Sequence, residues 1–199
     1  NGPLENHQEM NTTILSTTES SGSDAEEPGS STSGDVPPEP GPMRQPAEPD
    51  TKIEIDAGDL PAASVAQLRS ALCQIIPLLS RPVADVSIRI VGDTEMTAIH
   101  DRWKHAPVTT DVVTFDLSES SIDPLCVDLA ICLDEAIRQS ENRGHELEDE
   151  LLLYVIHGLL HCCGHDDHDE ASATAIHAEE DRLLQAIGRD AIYSREGRS

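Results

Sequence analysis

Apolar positions in this chain fall almost entirely after residue 50, in periods that switch between helix and strand. Over 61–80, Val65, Leu68, Leu72, Cys73, Ile76 and Leu79 recur at helical spacing, and Pro82 closes the run. Val86-Ser87-Ile88-Arg89-Ile90-Val91 alternates as a strand does and meets a turn at Gly92-Asp93. Thr94 is placed to cap a short helix through Arg102, with Met96 and Ile99 inward. Residues 111–115 and 127–132 read as two further strands around a polar loop. Leu133–Arg143 is helical and stops at Gly144, which suits the left-handed residue after a helix. The strongest helix spans 146–163: it is apolar on most of its circumference, hence buried, and its first turn is acidic, as the helix dipole favours. A last helix covers 170–187 and ends at Gly188. The order α-β-α-β-β-α-α-α predicts an α+β fold, a small mixed sheet covered by helices with the buried 146–163 helix at its centre.

Composition divides the chain. Residues 1–50, with Ser20-Ser21-Gly22-Ser23 and Pro37-Pro38-Glu39-Pro40, hold too little apolar surface to offset the entropy of ordering. A disordered acidic tail is expected over 1–50, one domain over 51–193, and a disordered end over 194–199. Net charge is −25, and the tail contributes ten acidic residues against Arg44 alone. Phosphate binding relies on Lys and Arg, so any RNA-directed role needs a local basic patch or a protein partner. Neither DNA nor a membrane is an expected partner: no stretch reaches the ~18 apolar residues of a membrane span. The five cysteines (Cys73, Cys126, Cys132, Cys162, Cys163) are odd in number and sit in apolar surroundings, which fits a reducing compartment and a cytoplasmic location.

The chemistry is concentrated in His157-Gly158-Leu159-Leu160-His161-Cys162-Cys163-Gly164-His165-Asp166-Asp167-His168. Two histidines four apart leave one helix face a single turn apart and can converge on one Zn²⁺. Burying two imidazoles in an apolar wall is costly without such a partner. Gly164 lets the chain turn back, so that His165, Asp166, Asp167 or His168 can bring a third ligand. Three ligands and one open position is the pattern of catalytic zinc. Cys162 and Cys163 point away around the helix and are expected in the core. In the helical zinc-protease motif the residue after the first His is a general-base Glu; here it is Gly158, which counts against proteolysis and leaves space where a substrate backbone can approach.

At this motif the chain resembles the YbeY family of metal-dependent bacterial endoribonucleases, whose signature is H-G-x-L-H-L-x-G-Y-D-H. Both leading histidines, Gly158, Leu160, Gly164 and Asp166 are reproduced; Cys162 replaces Leu, His165 replaces Tyr, and Asp167 stands where the third histidine usually does. Thr110-Asp111-Val112-Val113-Thr114-Phe115 is similar to the family's T-D-V-L-S-F strand, Val127-Asp128-Leu129-Ala130-Ile131-Cys132 to its G-D-[IV]-x-I strand, and 144–150 to the loop before its metal motif. Lys104, after Trp103, takes the place of a family arginine, Arg102 precedes the pair, and His100 stands where the family often has Asn.

The resemblance implies one zinc ion on His157, His161 and Asp167, with His168 as the alternative third ligand. It implies a single-strand-specific endoribonuclease acting in maturation of the 3′ end of small-subunit (16S) ribosomal RNA and in ribosome quality control. Ribosomal RNA and ribosomal or ribosome-associated proteins are the implied partners. Lys104 or Arg102 is expected to neutralise a phosphate oxygen and Asp166 to handle a proton, with His165 and His168 as alternatives. The rivals are a zinc hydrolase of peptides and a ribosome-assembly factor with structural zinc.

Overall fold

The computed structural model describes residues 13–14 and 51–196. Apart from Thr13 and Ile14, the expected 1–50 tail lies outside the described residues, as do 197–199. Strands β1 (Thr13–Ile14), β2 (Lys52–Asp56), β3 (Val83–Val91), β4 (Val112–Asp116) and β5 (Leu125–Cys132) form one sheet in the order β1-β4-β5-β3-β2. It is mixed: β4 runs antiparallel to β5, and the other neighbours are parallel. The helices are α1 (Ala62–Ile75), α2 (Asp93–Lys104), α3 (Leu133–Arg143), α4 (Leu147–Cys162), α5 (Glu170–Ala186) and α6 (Tyr193–Glu196). The α+β architecture is thus as the sequence implies, although β1 falls within the expected tail, α6 runs into the expected disordered end, and two further details differ. Strand β2 carries Lys52, Glu54 and Asp56 on its outer face and pairs with β3 at the sheet edge, so its pattern resembles a polar linker. Thr94 caps nothing: α2 begins at Asp93 with Gly92 in the cap position and no side-chain cap, and the Asp93 N–H donates to Asp134 Oδ2 at 2.8 Å.

Alternation along the strands sends side chains to two faces. Val86, Ile88, Leu129 and Ile131 join the main core with α1, α4 and α5, whereas Val91, Val113, Ala130 and Phe115 pack with Met96 and Ile99 of α2 on the other face. Every residue of α4 from Glu150 to Cys162 is buried. Gly158 explains how close α4 lies to the sheet. A Cβ there would fall 2.5 Å from Leu129 Cδ2 and nearer still to Thr114 Oγ1, so the missing side chain serves helix-on-sheet packing. The open space for a substrate expected at Gly158 is absent; β4 and β5 fill it.

Two polar arrangements tie α4 down. Glu150, fully buried, accepts from Arg143 Nη1 at 3.2 Å and pairs with His145. Arg81 donates to Asp123 O at 2.7 Å and to Cys162 O at 3.3 Å, binding the polar 117–124 loop to the C-terminal end of α4. Among the described residues no helix is long and apolar enough to cross a membrane.

Candidate metal centre

The four-residue spacing on α4 brings His157 and His161 together as a buried pair, with ring centroids 4.5 Å apart, planes at 88° and Nε2 atoms 3.0 Å apart. Gly164, at φ +93°, then reverses the chain, and His165 N–H donates back to Leu160 O at 3.0 Å. The returning loop carries Asp167, whose Oδ2 lies 3.7 Å from His157 Nε2 and 3.8 Å from His161 Nε2. The loop ends at Asp169, which forms a capping box with Ser172 and starts α5. From α5, the fully buried Glu180 reaches His157 Nδ1 through Oε1 at 2.7 Å.

Hydrogen bonding decides which ring atoms are free. His161 Nδ1 lies 3.0 Å from the His165 carbonyl oxygen, an acceptor only, so Nδ1 carries the proton and Nε2 a lone pair. His157 Nδ1 faces the Glu180 carboxylate, which likewise turns an Nε2 lone pair inward. Two lone pairs 3.0 Å apart with a carboxylate oxygen beside them repel one another unless a cation, a proton or a metal ion, lies among them. Burial works against a charged His157, but the hydrogen bond and charge of Glu180, aided by Asp111 and Asp167, outweigh it and raise its pKa. Burial and the charge of His157 lower that of His161.

The three donor atoms lie within 4.8 Å of one another. Ligands 2.0–2.1 Å from a tetrahedral zinc stand roughly 3.4 Å apart, so the two imidazole nitrogens and one carboxylate oxygen fit a transition-metal ion by type and spacing. His168 turns outward: it is 73% exposed and its Nδ1 pairs with Asp166 Oδ1 at 2.7 Å. Asp166, also exposed, accepts from the Asp167 N–H and does not reach the imidazoles. His165 contributes its backbone carbonyl to His161. Cys162 is buried, its thiol pushed up to about 12 by that burial, and lies outside the donor group.

The remaining sequence candidates lie elsewhere or outside the description. Arg102, its guanidinium 5.5 Å from the Trp103 ring, lines a cleft of about 550 Å³ under α2 with Arg89, Phe115 and Asp128, on the sheet face that α4 does not cover. Trp103 is 51% exposed and packs edge-on against Phe115. His100 Nδ1 pairs with Val108 O at 2.9 Å. Lys104 ends α2, and its side chain lies outside the described residues. Glu180 was missed by sequence reasoning. Its signal was a carboxylate in register with Ile176, Leu183 and Leu184 on the buried stripe of α5.

The profile of the family described as Endoribonuclease YbeY matches residues 52–188. Relatives described as Endoribonuclease YbeY include one from Anaeromyxobacter sp. (strain Fw109-5), 34% identical over 68% of this chain and 71% of its own. Another, from Methylibium petroleiphilum, is 31% identical over 73% of this chain and 96% of its own. The solution structure of TM1509 from Thermotoga maritima shares the fold at a TM-score of 0.51 and 21% identity, covering 68% of this chain and 88% of that one. The family match spans all the elements from β2 to α5 and the whole histidine motif, and the chain belongs to the YbeY endoribonuclease family.

Proposed function

We propose that this chain is a zinc-dependent, single-strand-specific endoribonuclease that matures the 3′ end of small-subunit (16S) ribosomal RNA and acts in late ribosome quality control in the cytoplasm. The observation that carries the reading is the convergence of two imidazole Nε2 atoms, both Nδ1 atoms already committed, with the Asp167 carboxylate. His157, His161 and Asp167 would hold one ion; His168, turned to solvent, is the weaker candidate. When bound, such an ion supplies Lewis-acid polarisation of the phosphate and lowers the pKa of water.

The chain's own residues supply the rest. Glu180 and the His165 carbonyl orient the two rings before substrate arrives, so no reorganisation is needed at the reaction. Asp166, exposed at the rim and paired with His168, is our candidate to accept the proton of the attacking water. Lys104 is our candidate to neutralise a non-bridging phosphate oxygen, without the bidentate fork of the arginine it replaces. Arg102, in the cleft under α2, is better placed to hold a distal part of an RNA strand than the scissile phosphate. With a net charge of −25, the protein attracts RNA poorly by itself, so ribosomal RNA would be delivered by ribosomal or ribosome-associated proteins.

The test is cleavage of structured RNA bearing a single-stranded 3′ extension, with casein in parallel, by metal-loaded wild type, His157→Ala and His161→Ala. RNA cleavage lost in both variants while circular dichroism stays native supports the reading. Proteolysis without RNA cleavage, or undiminished cleavage by His157→Ala, refutes it.

A further inference from the structure

Glu180 is an expensive residue to place where it is. It is fully buried on α5, only one of its oxygens is partnered, and Oε2 has no hydrogen-bond partner. Among the described residues, its ion-pair partner is His157 and no Lys or Arg. A carboxylate withdrawn from water destabilises a fold unless something offsets it, and one hydrogen bond is a small offset.

We infer that Glu180 is a positioning residue for the metal: it fixes His157 as the Nδ1–H tautomer, aims Nε2 at the ion, and makes His157 the stronger of the two imidazole ligands. This rests on the metal reading above. A neutral imidazole carries one proton; with Nδ1–H held 2.7 Å from Glu180, the lone pair must lie on Nε2. His161 receives equivalent orientation from the His165 backbone carbonyl, 3.0 Å away, which carries no full charge. A carboxylate raises the basicity of the ring it holds more than a carbonyl does, and partners of this kind strengthen metal affinity. The two histidines, alike in sequence, are therefore unequal ligands. The positioning role also accounts for one of the two acids buried on α5 beside Ile176, Leu183 and Leu184; the other, Asp181, accepts from the Ile192, Tyr193 and Ser194 N–H groups.

The test is Glu180→Gln in the full chain. Gln keeps the shape and an oxygen able to accept from Nδ1–H, and removes the charge. Zinc affinity, read by competition with a chromogenic chelator, should weaken about 10–100-fold. Circular dichroism of the metal-free variant should stay native, so that affinity is read on folded protein even where loss of the buried pair with His157 lowers the thermal midpoint. Glu150→Gln is the control: it is equally buried, on α4, but its partners are Arg143 and His145, and it should leave zinc affinity unchanged. A second measurement needs no variant: long-range proton–nitrogen correlation on zinc-loaded wild type should find the His157 proton on Nδ1. Affinity of Glu180→Gln within about threefold of wild type, an equal loss in Glu150→Gln, or a His157 proton on Nε2 each overturns the positioning role. A wild type that takes up no zinc overturns the metal reading itself, and the inference with it.

Discussion

Gly164→Ala isolates the turn that folds the loop ligand back onto the helix. Gly164 sits at φ +93°, and a Cβ built there meets nothing within 4 Å, so the substitution carries no steric cost and acts through the backbone alone. Holding an L-residue in the left-handed region costs about 1–2 kcal/mol, partly offset by the ~0.4–1 kcal/mol by which Ala restricts the unfolded chain. The expected net loss is about 1 kcal/mol, or some 2–4 °C of thermal midpoint for a chain of this size. Gly144 (φ +70°) and Gly188 (φ +79°) have equally empty surroundings, so their Ala variants should lose a similar amount. What separates them is the metal. The Gly164 turn sets the His165 carbonyl against His161 Nδ1 and brings Asp167 to both Nε2 atoms, whereas the other two glycines end α3 and α5. Urea denaturation of the three metal-free variants should therefore give similar losses, while chelator competition should show zinc binding weakened about tenfold in Gly164→Ala only. A stabilised Gly164→Ala, or three variants with the same zinc affinity, would refute the reasoning.

Other expectations are simpler to state. The Arg138 guanidinium beside Asp93 holds its carboxyl at about 2, below the ordinary 3.8, so this pair stabilises the fold fully above pH 4 and loses its contribution as pH falls from about 4 through 2. In acid denaturation, Asp93→Asn should thus differ from wild type at neutral pH and converge with it below about pH 2; parallel curves throughout would show that the pair contributes nothing. Burial pushes the Cys132 thiol up to about 11 and that of Cys162 to about 12, so both should resist iodoacetamide in the native protein while the exposed Cys73 is alkylated. Peptide mass mapping reads this, and fast native labelling of Cys162 would contradict its packing. Arg143→Ala leaves the buried Glu150 carboxylate with His145 alone and should cost about 3 kcal/mol in urea denaturation; a loss within experimental error would mean that the pair is not holding the α3–α4 corner.

Where periodicity and burial agree, the fold was legible. Strands β3 and β5 and helix α4 are largely apolar, and the end of β3 and both limits of α4 follow from Gly92, Gly144 and Gly164. Strand β2 was not legible because an edge strand with one solvated face needs only Ile53 and Ile55 to hold it. Glu180 lay hidden in the acidic run Glu179-Glu180-Asp181, where composition suggests a solvated face; only the helical register separates the residue that turns inward to His157 from Glu179, which pairs with Arg182 at the surface. Gly158 was misread for the opposite reason. Its neighbours in sequence are ligand candidates, but one residue of helix rotates a position by about 100°, and that carried it from the imidazole side to the sheet.

The tight seat of α4 on β4 and β5 divides the donor group into two kinds of parts. The helix cannot slide or roll without driving Gly158 into Thr114 and Leu129, so the imidazole pair is bolted to the scaffold and tolerates no exchange of residue type. Asp167 hangs from a short loop between a glycine turn and a capped helix, where a change of side-chain length is absorbed without disturbing the sheet. Latitude to swap donors, and with it to retune metal preference, therefore belongs to the loop.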